Sequence, residues 1–234
     1  MSRKRFLWIS AGLFLGALIA FFPLGAVVSL SGITGKLFAA RAVEGTIWNG
    51  TLRGVSIDGI PMGDFKTIVP PWAFLQGRLE IRLEGLSDPA ARARLLSSFS
   101  AYGIDTLNVQ IVAPAAFAPL PVESLTLTNV AAEIRGPKCV IAAGRIEAVV
   151  DGSIAGLPDR LTLQGVPRCD GDVILAPLVS ATGQEQLRLR LSPDGQYAFQ
   201  LIVKPADQAM VDKLRSVGFR EQASGFQLGA TGRF

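Results

Sequence analysis

Leu79-Glu80-Ile81-Arg82-Leu83-Glu84 alternates apolar and charged residues one for one. Successive side chains of an extended strand point to opposite faces, so this string buries one face and wets the other. Leu187-Arg188-Leu189-Arg190-Leu191 repeats the pattern. Shorter versions are Val55-Ser56-Ile57-Asp58, Leu107-Asn108-Val109-Gln110-Ile111, Leu125-Thr126-Leu127-Thr128 and Leu161-Thr162-Leu163-Gln164. Turn residues separate them. Ser192-Pro193-Asp194-Gly195 pre-sets a turn with Pro and admits positive φ at Gly. It joins Leu187–Leu191 to Tyr197–Val203 as a hairpin. Many short strands punctuated by Gly and Pro specify an antiparallel sheet system rather than βαβ units. The expected fold class is an N-terminal transmembrane helix followed by a mainly-β domain of antiparallel, curved sheets with one or two short packing helices.

Two segments read as those helices. Asp88 is a good cap and Pro89 suits the first helical position. Ala90–Ser100 then carries Arg92, Leu95, Leu96 and Phe99, with Gly103 to close it. The second is Asp207–Val217, with Met210, Leu214 and Val217 on one face and Gly218 as its stop. Residues 113–121 (APAAFAPLP) are rich in Pro and Ala and mark a connection, with a sub-domain boundary expected near 113–121.

Upstream, Arg3, Lys4 and Arg5 precede FLWISAGLFLGALIAFFPLGAVVSLSGITG, and the next charge is Lys36. About 20 apolar residues cross a bilayer core. The positive-inside rule places the basic cluster in the cytoplasm. The alternative, a cleaved signal peptide, has an apolar region of about 7–15 residues, shorter than this one. The expected organisation is residues 1–5 cytoplasmic, 6–30 a transmembrane signal anchor, and 31–234 a periplasmic β-rich domain. Pro23 is expected to kink or end the deeper part of the helix.

Of the 234 residues, 49% are hydrophobic and 18% charged, below the typical charged share of about 25%. The net charge is +4, of which the N-terminal cluster supplies three. The basic balance is therefore a topology signal, and a nucleic-acid partner, which needs a basic patch on the folded part, is not expected. Histidine is absent, which removes the commonest general base and the commonest zinc ligand. Asp170 and Asp172 flank Gly171 in a turn-like string, so a solvated turn is the reading rather than a catalytic pair. No Walker-type loop, dinucleotide fingerprint or nucleophile elbow is present. No enzyme activity, catalytic residue, metal or cofactor is expected.

Cys139 and Cys169 are the two cysteines. In an oxidising periplasm two thiols of one exported domain tend to pair; two buried free thiols are the alternative. No CxxC suggests redox or zinc chemistry. Gly45-Thr46-Ile47-Trp48-Asn49-Gly50 reads as a strand-like triplet between glycines, with Trp48 a core anchor and Asn49-Gly50 a hairpin-turn pair. Asn49-Gly50-Thr51 also fits a glycosylation acceptor. Pro70-Pro71-Trp72 reads as a turn entering the Leu79–Glu84 strand, with Trp72 packed on it.

Taken in order, these features resemble type II secretion system protein N, the general secretion pathway N component. The order is a basic N-terminus, one apolar span, GTIWNG, a Pro/Trp string entering a strand with Gly77, and Cys139 followed by AAG. Cys169-Asp170-Gly171, a hairpin with Tyr197, a short helix, and Gly218-Phe219 with Gly225 and Gly232 complete it. The resemblance runs over nearly the whole chain. It implies a single-pass inner-membrane protein, non-catalytic and accessory to the machine that exports folded periplasmic proteins across the outer membrane. It implies other type II secretion subunits as partners. It makes Gly45, Trp48, Gly50, Cys139 and Cys169 structural positions. The Pro-Pro-Trp string at Trp72 departs from a simpler Trp-led pattern. A second function compatible with the residues is a membrane-anchored periplasmic lipid-handling protein, its alternating strands forming an open apolar groove.

Overall fold

The computed structural model describes residues 3–26, 38–57, 60–112, 122–151 and 160–233. The chain divides into two compact units, Met1–Pro89 and Ala90–Phe234. The stretch expected to hold a sub-domain boundary, 113–121, lies outside the described residues.

The first unit opens with helix α1, Arg3–Ala20, of 18 residues. At 1.5 Å per residue it is about 27 Å long, and its first three residues are the cationic Arg3, Lys4 and Arg5. Among the described residues no helix is long and apolar enough to cross a membrane, so the structure does not support the span expected over 6–30. The helix stops early because the chain is captured by the sheet. The Phe22 carbonyl accepts a hydrogen bond from the Ile47 N–H at 3.0 Å, Pro23 bridges Thr46, and Leu24 is buried.

Strands β1 (Phe38–Ala39), β2 (Ala42–Gly45), β3 (Asn49–Ile57) and β4 (Ile60–Ile68) follow. The short helix α2 (Trp72–Leu75) leads to β5 (Arg78–Gly85). All pairings are antiparallel: β1 and β2 on β3, β3 on β4, β4 on β5. The Leu79–Glu84 alternation is a strand as expected, but its charged face is not uniformly wet. Glu80 is only 3% exposed, and Arg82, two residues on along the same face, ion-pairs with it at 2.6 Å. A buried carboxylate needs such a partner.

The second unit holds β6 (Arg92–Ser98), β7 (Ala101–Val112), β8 (Val122–Arg135) and β9 (Lys138–Asp151). Then come β10 (Arg160–Gly165), β11 (Arg168–Asp170), β12 (Val173–Ser180), β13 (Glu185–Leu191) and β14 (Gln196–Val203). Helix α3 (Gln208–Ser216), β15 (Arg220–Gln222) and β16 (Gly225–Arg233) finish it. The strands run in the order β6-β7-β8-β9-β10-β12-β13-β14-β16-β15, with β11 added on β12. Register shifts interrupt the β7–β8 and β8–β9 ladders; such bulges bend and twist long strands.

The helix expected over Ala90–Ser100 is instead strand β6. It pairs with β7 from Arg92↔Asn108 to Ser97↔Tyr102, and Ser98 Oγ accepts from the Ala101 N–H at 3.2 Å to close the turn. The apolar positions that suggested a helical face do not share a buried one: Leu95 and Leu96 are half-buried and Phe99 is fully exposed. A long neighbouring strand with free backbone groups outweighs the weak helical preference of a short segment.

The second helix forms as read. Asp207 caps α3, its carboxylate accepting from the Met210 N–H at 2.8 Å. Leu214 is fully buried in one cluster with Leu163, Leu178, Leu187, Leu201, Val203 and Phe226, against which Met210, Val211 and Val217 also pack. The Ser192–Gly195 turn joins β13 to β14 with Leu191 opposite Tyr197, and the Ser192 N–H donates to the Gln196 carbonyl at 2.8 Å.

Candidate functional site

The four residues of the expected structural motif separate into two groups. Gly45 and Gly50 are partners at the closed end of the β2–β3 hairpin. Thr46 and Asn49 exchange backbone hydrogen bonds at 3.2 Å, so the turn centres on Ile47-Trp48 and not on Asn49-Gly50, which begins β3. Gly45 has φ of +86°, and a Cβ there would meet the Asn49 carbonyl oxygen at 2.7 Å and Gly50 Cα at 2.9 Å. A Cβ on Gly50 would meet Leu24 Cδ2 at 2.5 Å and the Glu44 carbonyl oxygen at 2.9 Å. The glycine pair thus lets two backbones close together and seats Leu24.

Trp48 sits in that turn rather than in a strand. It is half-buried and meets Phe74 of α2 edge-to-face, with ring centroids 6.0 Å apart. Its carbonyl accepts from the Val69 N–H at 3.3 Å. Trp72 does not join this contact and remains 56% exposed. The Pro70 carbonyl accepts from the Ala73 N–H at 3.1 Å to open a helical turn, and Phe74 of that turn, not Trp72, makes the ring contact with Trp48.

Cys139 of β9 and Cys169 of β11 are joined by a disulfide with Cα atoms 5.5 Å apart. β10 and β11 lie end to end along one edge of β12: Leu163 and Gln164 pair with Ser180 and Val179, and Arg168–Asp170 with Leu175–Val173. The β9–β10 ladder ends at Gly165↔Ile146, and the disulfide ties β9 to β11 beyond that point. Asp170 and Asp172 flank Gly171, which has φ of +64° as a turn requires. Asp170 accepts a charge-assisted bond from Arg190 at 2.8 Å, so it serves as an ion-pair partner across strands.

The registers of β12–β16 sort their side chains into two faces. Leu178, Leu187, Leu201 and Leu228 form one row of the face beneath α3. On the opposite face Arg168, Leu175, Arg190, Ala198 and Thr231 form one row, and Pro177, Arg188, Gln200 and Gly229 the next. Arg168, Arg188 and Arg190 border a groove of about 730 Å³ floored by Leu175, Pro177 and Val179. The arginines of Leu187–Leu191 were legible as a polar face, but Arg168 joins them only through the β11–β12 register.

The family model for type II secretion system (T2SS), protein N matches residues 37–228. No curated protein and no solved structure matches the chain. That match covers strands of both units, both motif glycines and both cysteines, and the chain belongs to the type II secretion system protein N family.

Proposed function

We propose that this type II secretion component is a non-catalytic scaffold, anchored in the inner membrane by its N-terminal segment. In this reading the basic N-terminus is cytoplasmic and both β units are periplasmic, taking part in export of folded proteins across the outer membrane. The observation that supports scaffolding is the outer edge of β16. β15 pairs with it only at Gly225, Phe226 and Gln227, so residues 228–233 face no further strand among the described residues. An open edge offers backbone donors and acceptors to an extended segment of another chain.

The anchoring reading rests on the exposed apolar surface of α1, which by itself is not long and apolar enough to cross a membrane. Every side chain from Trp8 to Leu18 is exposed, and such a helix, apolar all round, needs an apolar surrounding. The lipid-handling alternative requires an apolar sheet face that no helix covers, whereas the most buried residues of that face lie beneath α3.

Copurification from native membranes in mild detergent, with mass spectrometry of bound proteins and lipids, tests the reading. Recovery of other secretion subunits without stoichiometric lipid is the expected result. Stoichiometric lipid with no secretion subunit would overturn it.

A further inference from the structure

The polar face of the C-terminal strands is far more basic than the chain as a whole. Arg168, Arg188 and Arg190 surround the 730 Å³ groove, and the same face continues to Arg233, opposite Gln196, and Arg220, opposite Gln227. All five are exposed. On these strands Asp170 is the one carboxylate that shares the face among the described residues, and it is engaged by Arg190. Glu221 belongs to the other face, opposite Phe226, where Arg215 holds it at 2.9 Å.

The spacing has a consequence for what could dock. Arg188 and Arg190 are two residues apart on one strand, about 7 Å, and Arg168 and Arg190 are two strands apart, about 10 Å. Arg168 and Arg188 are thus about 12 Å apart on the diagonal, close to the ~14 Å between side chains four residues apart on one face of an extended peptide. The floor is apolar (Leu175 buried, Pro177 and Val179 half-buried), and the amide side chains of Gln186 and Gln200 flank Arg188, Gln186 Oε1 accepting from it at 3.2 Å. Guanidinium groups recognise carboxylates through paired hydrogen bonds, and side-chain amides suit a peptide backbone. No aromatic ring lines the groove, which removes the stacking platform that single-stranded nucleic acid uses.

We infer that this groove binds an acidic, extended segment of a partner protein, with carboxylates four residues apart on Arg168 and Arg188 and the apolar same-face side chain between them on Leu175 and Pro177. The inference deepens the scaffold reading and rests on it only for the partner being a secretion subunit. Peptide binding can fail while copurification succeeds, and the reverse.

The test uses the full chain in mild detergent and a fluorescent peptide of Glu-Ser-Val-Ser repeats, which presents Glu and Val in turn on one face, followed by anisotropy. Saturable binding that weakens with salt is expected, falling at least tenfold in the double variant Arg168→Glu/Arg188→Glu and unchanged in Lys213→Glu, which lies on α3. The double variant should instead take up a peptide of Lys-Ser-Val-Ser repeats. This gain separates lost recognition from lost folding. Absence of saturable binding to the wild-type chain, equal binding in the double variant, or equally tight binding of a single-stranded oligonucleotide or of anionic vesicles would each overturn it.

Discussion

Cys139 and Cys169 are bonded three residues out of step with the ladder that precedes them. Continued past Gly165↔Ile146, that ladder would set Cys169 opposite Ala142, yet its partner is Cys139. The disulfide therefore replaces backbone pairing where β9 departs from β11. It closes a separation of 30 residues, for which the chain-entropy model gives about 3–4 kcal/mol. Replacing both cysteines by serine should lower the melting temperature by about 6–16 °C for a chain of this size. Calorimetry of oxidised wild type against the double variant checks this; an unchanged melting temperature would show that the bond constrains nothing.

The Gly45–Gly50 pair predicts a graded response. At Gly45 an added Cβ combines positive φ with backbone contacts at 2.7 and 2.9 Å, so Gly45→Ala should cost at least about 1–3 kcal/mol. Gly63 also has positive φ, +95°, but open space around it, so Gly63→Ala should cost less. Denaturant unfolding of the two variants ranks them, and equal midpoints would contradict the close-approach argument.

Leu214 anchors α3 on the sheet. Its truncation to Ala should destabilise by about 2–5 kcal/mol, the range for a buried leucine. Asp207→Ala removes only the cap and should cost about 1 kcal/mol. Phe99, which is fully exposed, should be replaceable by Ala with little change. If protease susceptibility within α3 rises for Leu214→Ala alone, the helix is held by packing and not by its own propensity.

The parts of this fold that the sequence made legible share one property: their signal is local. Asp207 and its helix, the Ser192–Gly195 turn and the alternating strands are each specified by residues within a few positions of one another. The parts that were misread depend on distant partners. Arg92–Ser98 becomes a strand because β7 pairs with it. The Thr46–Trp48 turn is fixed by a bridge to Pro23 and by Phe74. The arginine groove needs the register of β11 on β12. Local propensity is a weak prior where tertiary pairing decides.

The same distinction sets where the N-terminal segment can be cut. Apolar content alone extends the expected span to residue 30, but Phe22, Pro23 and Leu24 belong to the β2–β3 hairpin through a hydrogen bond, a bridge and burial against Gly50. A chain beginning at Phe21 keeps all three, whereas one beginning at residue 31 loses them and exposes the underside of the Gly45–Gly50 turn. The first should be released from the membrane fraction and unfold cooperatively near the wild-type midpoint. The second should also be released but show a lower midpoint and faster proteolysis between β2 and β3. Identical stability of the two would mean that the contacts of Leu24 contribute nothing, and continued sedimentation of the shorter chains with membranes would mean that α1 is not the anchor.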